Sequence, residues 1–296
     1  MEFIKKIVEK KGPEQSEYRA LHAEIERIGV LLEDVTSEIQ YHDLLDIIFP
    51  ALSTESMQGF AFHKPHGYSG DYEIIDRIYS TWKSEKEDFR KWDEFFHAQE
   101  ATIAVRNRKE FFLNLLASSL QINGELHVLN IGSGPGRDMF EFFQLYPDAN
   151  VYFDCVDYDK ESIEYASKLC SSYLDKIRFF HQNVFKITLD QRYNIVWSAG
   201  VFDYLDNKQF VFLLKRLHTF LEPNGSLVIG NFSNENPTRK YMELFGKWFL
   251  HHRSMQELID LAIDAGIDRK NINVLSEPLG VNLFLRIYKP AETSAN

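Results

Sequence analysis

Val128-Leu-Asn-Ile-Gly132-Ser-Gly134-Pro-Gly136-Arg-Asp138 is a glycine-rich turn that leaves an apolar run and opens an amphipathic stretch. Such a turn needs glycine where a ligand approaches the backbone and where the chain adopts conformations that a Cβ atom forbids. A dinucleotide fingerprint would read Gly-x-Gly-x-x-Gly, but the sixth position counted from Gly132 is Arg137. The observed Gly-x-Gly-x-Gly spacing therefore disfavours a nicotinamide oxidoreductase.

Short apolar runs alternate with amphipathic stretches from this turn onward. The alternation predicts right-handed βαβ crossovers and a doubly wound, mostly parallel α/β sheet that helices cover on both faces. The tight reversal Pro278-Leu-Gly280 predicts that the last strand runs antiparallel to its neighbour. The predicted strands are His127–Ile131, Val151–Asp157, Ile177–His181, Tyr193–Ser198, Ser226–Gly230, Ile272–Ser276 and Val281–Tyr288. The predicted helices are Asp138–Leu145, Lys160–Tyr173, Asn207–Leu221, Thr238–Leu250 and Met255–Ala265.

The residues before the turn are predicted to be mainly helical. One helical stripe, repeating at steps of four and three, consists of Leu21, Ile25, Ile28, Leu32, Val35 and Ile39. We expect it to pack inside its own domain, with a homodimer seam as the minor alternative. A second helix is predicted over Glu85–Leu120. The chain then divides into a helical N-terminal domain over 1–122 with an ordered loop over 59–73, an α/β domain over 123–290 and a tail over 291–296.

The composition of the 296-residue chain limits its partners. The 33 Lys and Arg against 44 Asp and Glu give a formal net charge of −11, which argues against tight binding to nucleic-acid phosphates. No window approaches the roughly 18 apolar residues of a membrane span, and the first residues do not resemble a secretory signal. Cys155 and Cys170 form no metal-ligand pattern. We expect a cytoplasmic protein with no membrane span, nucleic-acid partner or metal site.

Polar side chains end three of the predicted strands. Asp157 ends the second strand 21 residues after Gly136, where a carboxylate can accept hydrogen bonds from both ribose hydroxyls of a nucleoside. Asp159 is expected to cap the next helix instead. Asn183 follows the third strand with an amide suited to an adenine edge. The fourth strand, which ends at Ser198, opens on the same crevice at the topological switch point.

These segments, in this order and spacing, resemble the class I S-adenosylmethionine-dependent methyltransferases over about Leu126 to Lys289. The resemblance implies a Rossmann-like sheet of seven strands with the last one antiparallel. It also implies that S-adenosylmethionine is the cofactor and S-adenosylhomocysteine the product. The implied contacts are Gly132, Ser133, Gly134 and Gly136 around the methionyl part, Asp157 on ribose, Tyr158 on the adenine face, Asn183 and Val184 on the adenine edge, and Ser198 on the methionyl amine. Asn130 stands where the family usually has an acid.

Three flanking segments narrow this resemblance to a bacterial subgroup with a helical N-terminal domain. They are Lys64-Pro-His-Gly-Tyr-Ser-Gly-Asp-Tyr-Glu73, Ala199-Gly-Val-Phe-Asp-Tyr-Leu205 and Asn236-Pro-Thr-Arg-Lys-Tyr-Met-Glu243 with Trp248, His252 and Arg253. Some members of the subgroup make methyl esters of 3-hydroxy fatty acids that serve as cell-density signals. The resemblance thus suggests a hydroxy fatty acid as one acceptor.

Four residues are candidates for a catalytic role. Asp203 and Tyr204 follow the fourth strand, and Asp203 either acts as a base or caps the next helix. Arg253 could bind an acceptor carboxylate, with a surface ion pair as the alternative. Tyr68 lies in the loop over 59–73, which we expect to act as a lid over cofactor and substrate, although it could be a plain surface loop.

The sequence therefore predicts methyl transfer to a carboxylate or hydroxyl of a small, apolar molecule. The 24 Phe and 14 Tyr could line its pocket or belong to the core. Two alternatives keep the cofactor: a cyclase or other alkyl transferase, and a non-catalytic cofactor-binding regulatory protein.

Overall fold

The computed structural model of the protein describes residues 1–32 and 38–291. The chain folds into two compact units, the first comprising Met1–Val105 and Pro237–Phe249, the second Arg106–Asn236 and Leu250–Asn296. This division differs from the single predicted boundary after residue 122. Pro237–Phe249 joins the first unit because its helix packs on helices of that unit. For example, the Tyr241 hydroxyl donates to Gln58 Oε1 at 2.9 Å.

The second unit contains a seven-stranded sheet in the order β3-β2-β1-β4-β5-β7-β6. Its strands are β1 (Leu126–Ile131), β2 (Val151–Asp157), β3 (Ile177–His181), β4 (Tyr193–Ser198), β5 (Leu221–Phe232), β6 (Ile272–Ser276) and β7 (Asn282–Tyr288). All neighbouring pairs are parallel except those that β7 makes with β5 and β6. The predicted fold class, including the antiparallel last strand, is confirmed.

Helices cover both faces of this sheet. They are α7 (Glu100–Asn123), α8 (Arg137–Leu145), α9 (Lys160–Leu169), α10 (Asn207–His218) and α12 (Met255–Asp264). One apolar layer includes Phe112 of α7 and Phe142 of α8, and the other includes Phe210 of α10 and Leu258 of α12. The strand order reverses between β1 and β4, so the loops after these strands diverge there and leave a crevice at the carboxyl edge of the sheet.

The first unit is helical. Its helices are α1 (Glu2–Glu9), α2 (Tyr18–Leu31), α3 (Glu38–Ile48), α4 (Met57–His63), α5 (Tyr72–Tyr79), α6 (Glu87–Ala98) and α11 (Arg239–Gly246), with the start of α7. Leu21, Ile25 and Ile28 of the predicted stripe are buried within this unit, as expected for packing inside one domain. Val35 and the Ile39 side chain lie outside the described residues. No helix in the described ranges is long and apolar enough to cross a membrane.

Three local predictions for the first unit are wrong. The helix predicted over Glu85–Leu120 is broken at Gln99, which adopts an extended conformation between α6 and α7. The loop predicted over 59–73 is a turn over 64–71 between α4 and α5. Gly59 lies inside α4 and is required there by packing, because a Cβ atom would come within 2.0 Å of the Ser53 carbonyl oxygen. The helix predicted over Thr238–Leu250 ends at Gly246, since Lys247 adopts a left-handed conformation with φ of 46°.

Candidate active site

The glycine-rich turn lies between β1 and α8 at the carboxyl edge of the sheet. Gly132, Gly134 and Gly136 have φ values of 64°, 57° and 72°, in the left-handed region that favours glycine. A Cβ atom on Gly132 would lie 2.3 Å from the Val201 side chain, whereas one on Gly134 would meet no described atom within 4 Å. Gly132 is therefore required by packing, and Gly134 keeps a space open that a ligand can fill.

Asp157 connects the end of β2 to this turn. Its Oδ2 accepts a hydrogen bond from the Gly134 N–H at 3.0 Å, and its Oδ1 accepts one from the Asp159 N–H at 3.0 Å. Burial raises the pKa of Asp157, and these two backbone N–H groups act in the opposite direction. A carboxylate has about four lone-pair sites, so each oxygen can still accept a hydrogen bond from a ligand hydroxyl.

The residues predicted to contact adenine lie after β2 and β3. Tyr158 is 70% exposed, and its carbonyl oxygen accepts a hydrogen bond from the His181 Nε2–H at 2.9 Å. Asn183 Oδ1 accepts from the Phe185 N–H at 2.9 Å and so caps the 3-10 turn Val184–Lys186. The Tyr158 ring therefore offers a stacking surface, and Asn183 Oδ1 has a second lone pair for another donor.

Three buried side chains near the turn carry a polar atom without a hydrogen-bond partner among the described residues. These atoms are Asn130 Nδ2, Ser133 Oγ and Ser198 Oγ. Buried polar groups in proteins are nearly always paired, so such atoms mark places that a ligand or an ordered water completes. Together with Asp157 and the space at Gly134, they fit the amino-acid and ribose groups of S-adenosylmethionine.

Asp203 lies in a 3-10 turn, Phe202–Tyr204, that follows β4. Its side chain is 2% exposed, and Oδ1 accepts a hydrogen bond from the Phe232 N–H at 2.7 Å. Burial raises the pKa of Asp203 to about 7, against the opposing effects of Arg108 and Arg253. A carboxyl group with this pKa can take up a proton near neutral pH.

The raised pKa of Asp203 predicts how its contribution to stability changes with pH. Between the ordinary carboxyl pKa of 3.8 and about 7, the folded state holds this proton and the unfolded state does not. Asp203 therefore destabilises the fold progressively as the pH rises through that window. We expect the melting temperature of the wild type, relative to that of Asp203→Asn, to fall from pH 4.5 to pH 7.5 in thermal unfolding followed by circular dichroism. A difference that is constant over this range, like that expected of the exposed control Asp206→Asn, would contradict the assignment.

The alternative in which Asp203 caps the next helix is wrong. Asp206 occupies the N-cap of α10, where its Oδ1 accepts a hydrogen bond from the Gln209 N–H at 2.8 Å. Asp159 caps α9 as predicted, since its Oδ1 accepts from the Glu161 N–H at 2.9 Å. The Asp203 carboxylate is thus not needed to start a helix.

Arg253 has its guanidinium donors committed within the protein. Nη1 donates to Phe202 O at 3.1 Å and to Asn231 Oδ1 at 2.8 Å. Nη2 donates to Leu205 O and Asn207 Oδ1, and Nε donates to Asn207 Oδ1 at 3.4 Å. A guanidinium has five N–H donors, so none remains for an acceptor carboxylate. Arg253 instead holds the backbone on both sides of Asp203, which makes it a positioning residue.

The two predicted catalytic tyrosines are both exposed. Tyr204 follows Asp203 in the second unit, and Tyr68 lies in the 64–71 turn of the first unit. That turn is ordered by its own polar contacts: Asp71 caps α5, and His66 Nε2 lies 2.9 Å from Glu73 Oε2. The lid role of this segment stays a prediction.

Two buried charged residues were missed by sequence reasoning. Arg108 on α7 is 5% exposed and donates from Nη1 to Ala199 O, at the end of β4, at 2.9 Å. Asp138 in the first turn of α8 is 6% exposed, and burial raises its pKa to about 6 against the effects of Lys109 and Arg108. Asp138 stands inside the quoted glycine motif, whereas Arg108 lies in the charged run Arg106-Asn-Arg-Lys-Glu110, which has no feature that marks one of its cations as buried. Across residues 1–32 and 38–291, no group of three or more His, Cys, Asp or Glu is placed to hold a metal ion.

Comparison with known proteins gives a family. A family model described as "Methyltransferase domain" matches residues 122–270, half of the chain, which include the glycine-rich turn, Asp157, Asn183 and Asp203. Two curated relatives are malonyl-[acyl-carrier protein] O-methyltransferases, from Ilyobacter polytropus (24% identical over 118 residues) and Bacillus cytotoxicus (27% over 119 residues). Each alignment covers 40% of this chain and only 42% or 38% of the relative.

Two solved structures share the fold. One is a possible exported protein from Bordetella parapertussis, with a TM-score of 0.67 and 17% identity over 93% of this chain and 96% of that one. The other is magnesium protoporphyrin IX methyltransferase from Synechocystis PCC 6803 with bound S-adenosylhomocysteine, with a TM-score of 0.50 and 14% identity over 73% of this chain and 98% of that one. The family match covers the turn and the carboxylate that the site geometry singles out. The chain therefore belongs to the methyltransferase-domain family.

Proposed function

We propose that the protein methylates an oxygen, of a carboxylate or a hydroxyl, on a small and largely apolar molecule. The proposal rests on two charged side chains at the carboxyl end of β4, those of Asp203 and Arg108. There, Asp203 with a pKa of about 7 lies in the electrostatic field of the Arg108 guanidinium. Val201, two residues before Asp203, packs against the glycine-rich turn, since a Cβ atom on Gly132 would lie 2.3 Å from its side chain. Asp203 can accept a proton and Arg108 can bind an anion.

The proposed cofactor contacts use two kinds of atom in the site: the unpaired hydroxyl oxygens of Ser133 and Ser198, and oxygens of Asp157 and Asn183 that already accept one hydrogen bond and keep a second lone pair. The two Asp157 oxygens accept hydrogen bonds from the ribose hydroxyls, and the Tyr158 ring stacks on adenine. Asn183 Oδ1 accepts from the adenine amino group, and the Val184 N–H donates to the adjacent ring nitrogen. Ser133 and Ser198 bind the methionyl end around the glycine turn. When bound, S-adenosylmethionine supplies an electrophilic methyl group on a sulfonium centre.

The chain's own residues have two tasks in the transfer. They hold the acceptor oxygen in line with the methyl group, and they exclude water. A carboxylate oxygen forms the new O–CH3 bond directly, the C–S bond electrons stay on sulfur, and no proton moves. A hydroxyl oxygen must also lose a proton, which Asp203 can accept.

Two further observations support an oxygen of an apolar acceptor. The names of the two curated relatives state O-methylation of a malonyl acyl-carrier protein. The sequence resemblance to the hydroxy fatty acid subgroup favours an acceptor with a long apolar chain. We propose 3-hydroxy fatty acids as the first acceptors to test.

Methyl transfer from radiolabelled S-adenosylmethionine tests this function. The acceptors are decanoate, 3-hydroxydecanoate and methyl 3-hydroxydecanoate. In the last of these the carboxylate is blocked, so only the hydroxyl can be methylated. Labelled methyl ester together with S-adenosylhomocysteine supports the carboxylate, and a labelled ether supports the hydroxyl. Methylthioadenosine as the nucleoside product would instead indicate cyclisation or another alkyl transfer. Cofactor binding without turnover on a broad acceptor panel would indicate a regulatory protein.

Asp203→Asn separates the two acceptor chemistries. With a hydroxyl acceptor, kcat should fall by about 10²–10⁴-fold because the base is lost. With a carboxylate acceptor the fall should be much smaller, because no proton is removed. The control is Asp206→Asn, which keeps the helix cap. Steady-state kinetics with methyl 3-hydroxydecanoate and decanoate measure both cases, and equal losses on the two substrates would contradict the base role.

We propose that the reaction takes place in the cytoplasm on a free small molecule. Cys155 and Cys170 are buried thiols that form no disulfide, as in a reducing compartment. The net charge of −11 disfavours a nucleic-acid acceptor.

A homodimer would need a surface other than the Leu21, Ile25 and Ile28 stripe, which is buried within the first unit. Cell fractionation and light scattering test these points.

A further inference from the structure

We propose that Arg108 and Asn282 form a binding site for a carboxylate that carries a neighbouring hydrogen-bond donor. The inference rests on the proposed function and names a further part of the same site. Both residues belong to the second unit, Arg108 on α7 and Asn282 at the start of β7.

Asn282 has a buried side-chain amide without hydrogen-bond partners. Its side chain is fully buried, yet neither Nδ2 nor Oδ1 has a hydrogen-bond partner in the described ranges of the chain. Its backbone is well paired, since the N–H donates to Glu277 Oε1 at 3.2 Å and the carbonyl accepts from the Glu277 N–H at 3.1 Å. The backbone is thus fixed, while the amide, with two donors and an acceptor, is left for something else.

Arg108 and this amide both lie near the Ala199 carbonyl oxygen. Arg108 Nη1 donates to Ala199 O, and that oxygen would lie 2.3 Å from a Cβ atom on Gly230. The same Cβ atom would lie 3.3 Å from Asn282 Oδ1. The absence of a side chain on Gly230 therefore lets the Ala199 carbonyl and the Asn282 amide approach each other. Arg108 Nε is a second donor that is buried and unpartnered among the residues described.

The unpaired atoms define the ligand chemistry. Arg108 Nε and Asn282 Nδ2 are donors, and a carboxylate with two oxygens is the group that a guanidinium and an amide N–H bind best together. Asn282 Oδ1 is an acceptor, which suits an ammonium or hydroxyl group close to that carboxylate. Asp203 also lies in the field of Arg108, and its raised pKa reduces the competing negative charge near neutral pH.

Two molecules of this reaction have such a group. The amino-acid end of the cofactor has a carboxylate beside an ammonium, and a 3-hydroxy acid acceptor has a carboxylate near a hydroxyl. Isothermal titration of the full chain shows which of these two molecules the site binds. The wild type is compared with Arg108→Gln, Asn282→Leu and the control Arg192→Gln, at an exposed arginine of the same unit. The ligands are S-adenosylhomocysteine, methylthioadenosine, which lacks the amino-acid end, and 3-hydroxydecanoate with its methyl ester.

Either of two results supports the site. If the carboxylate belongs to the cofactor, both variants lose about tenfold or more in affinity for S-adenosylhomocysteine and less than twofold for methylthioadenosine. If it belongs to the acceptor, affinity for S-adenosylhomocysteine is kept, and affinity of the loaded protein for 3-hydroxydecanoate falls about tenfold or more, towards that of its methyl ester. Changes below twofold for every ligand would overturn the site. Failure of the wild type to bind S-adenosylhomocysteine would contradict the proposed function, and the site would then be judged on 3-hydroxydecanoate alone.

Thermal unfolding of ligand-free Asn282→Leu provides a second readout. An amide with no partner gains nothing from burial, so a leucine of similar shape should leave the melting temperature unchanged or raise it. A fall of more than about 5 °C would show that the amide stabilises the fold itself, and this would overturn its role in ligand binding.

Discussion

Asp157→Ala is expected to weaken the binding of S-adenosylhomocysteine by about 100-fold or more. Each hydrogen bond from a ribose hydroxyl to a carboxylate contributes roughly 1.5–3 kcal/mol, and two are lost, which corresponds to at least two orders of magnitude in Kd. The substitution also removes the acceptor that holds the Gly134 N–H at 3.0 Å, so the glycine turn loses its connection to β2. Isothermal titration of the variant and the wild type measures the effect.

The neighbouring carboxylate provides the control for this prediction. Asp159→Asn keeps a good helix cap for α9 and leaves the Asp157 carboxylate in place, so the affinity should change less than about threefold. If Asp157→Ala binds as tightly as the wild type, the ribose assignment is wrong. If both variants lose affinity equally, the cause is a general disturbance of the loop after β2.

Arg253→Ala is expected to lower the free energy of unfolding by about 3–5 kcal/mol, because at least two buried acceptors each lose a charge-assisted hydrogen bond worth roughly 1.5–3 kcal/mol. The substitution leaves the carbonyls of Phe202 and Leu205 and the side chains of Asn207 and Asn231 without their donor. Arg253→Lys should lose most of the same amount, because one ammonium cannot replace a planar fork that reaches four acceptors. Denaturant unfolding followed by tryptophan fluorescence measures both changes.

Arg239→Ala is the matched control. Arg239 is an exposed arginine paired with Glu243 one helical turn away, and such pairs contribute about 0.5 kcal/mol or less. A loss below about 1 kcal/mol in Arg253→Ala would contradict the positioning role. It would also reopen the prediction that Arg253 binds an acceptor carboxylate.

Most of the sheet could be predicted from the sequence. The structure has β2, β3, β4 and β6 at their predicted bounds, because a buried strand is a short apolar run with polar residues at both ends. The prediction for β5 was too short. Leu221 pairs with Tyr193 before a register shift, so the strand continues through Pro223-Asn-Gly225, which looks like a turn in isolation. Such pairing depends on the neighbouring strand and has no local signal.

The helical breaks were harder to predict. Gln99 ends α6 without glycine or proline, and its side-chain Nε2 donates to the Phe95 carbonyl oxygen at 2.7 Å. Lys247 ends α11 in a left-handed conformation, which a lysine in the sequence does not predict. The predicted helices crossed both positions because their apolar periodicity continues on either side.

The residues of the candidate site also differ in whether the sequence could predict their roles. The glycine turn and Asp157 could be identified because their spacing reflects a strand, a tight turn and the next strand end. Arg108 could not, since its place beside Ala199 depends on how α7 lies along the sheet. The roles of Asp203 and Arg253 could not be separated from helix capping and ion pairing until the hydrogen-bond partners were known. Sequence patterns thus identify site residues that directly follow a strand. Site residues on a helix, such as Arg108, can be identified only once the packing of that helix on the sheet is known.

The most direct test of the account is a parallel calorimetric titration of the purified wild-type protein with S-adenosylmethionine, S-adenosylhomocysteine and NAD. We predict micromolar binding of the two sulfur nucleosides and no binding of NAD, because the turn has the Gly-x-Gly-x-Gly spacing and Asp157 presents two oxygens to a ribose. Absence of binding by both sulfur nucleosides, or binding of NAD instead, would contradict the assignment of the glycine turn as the cofactor site.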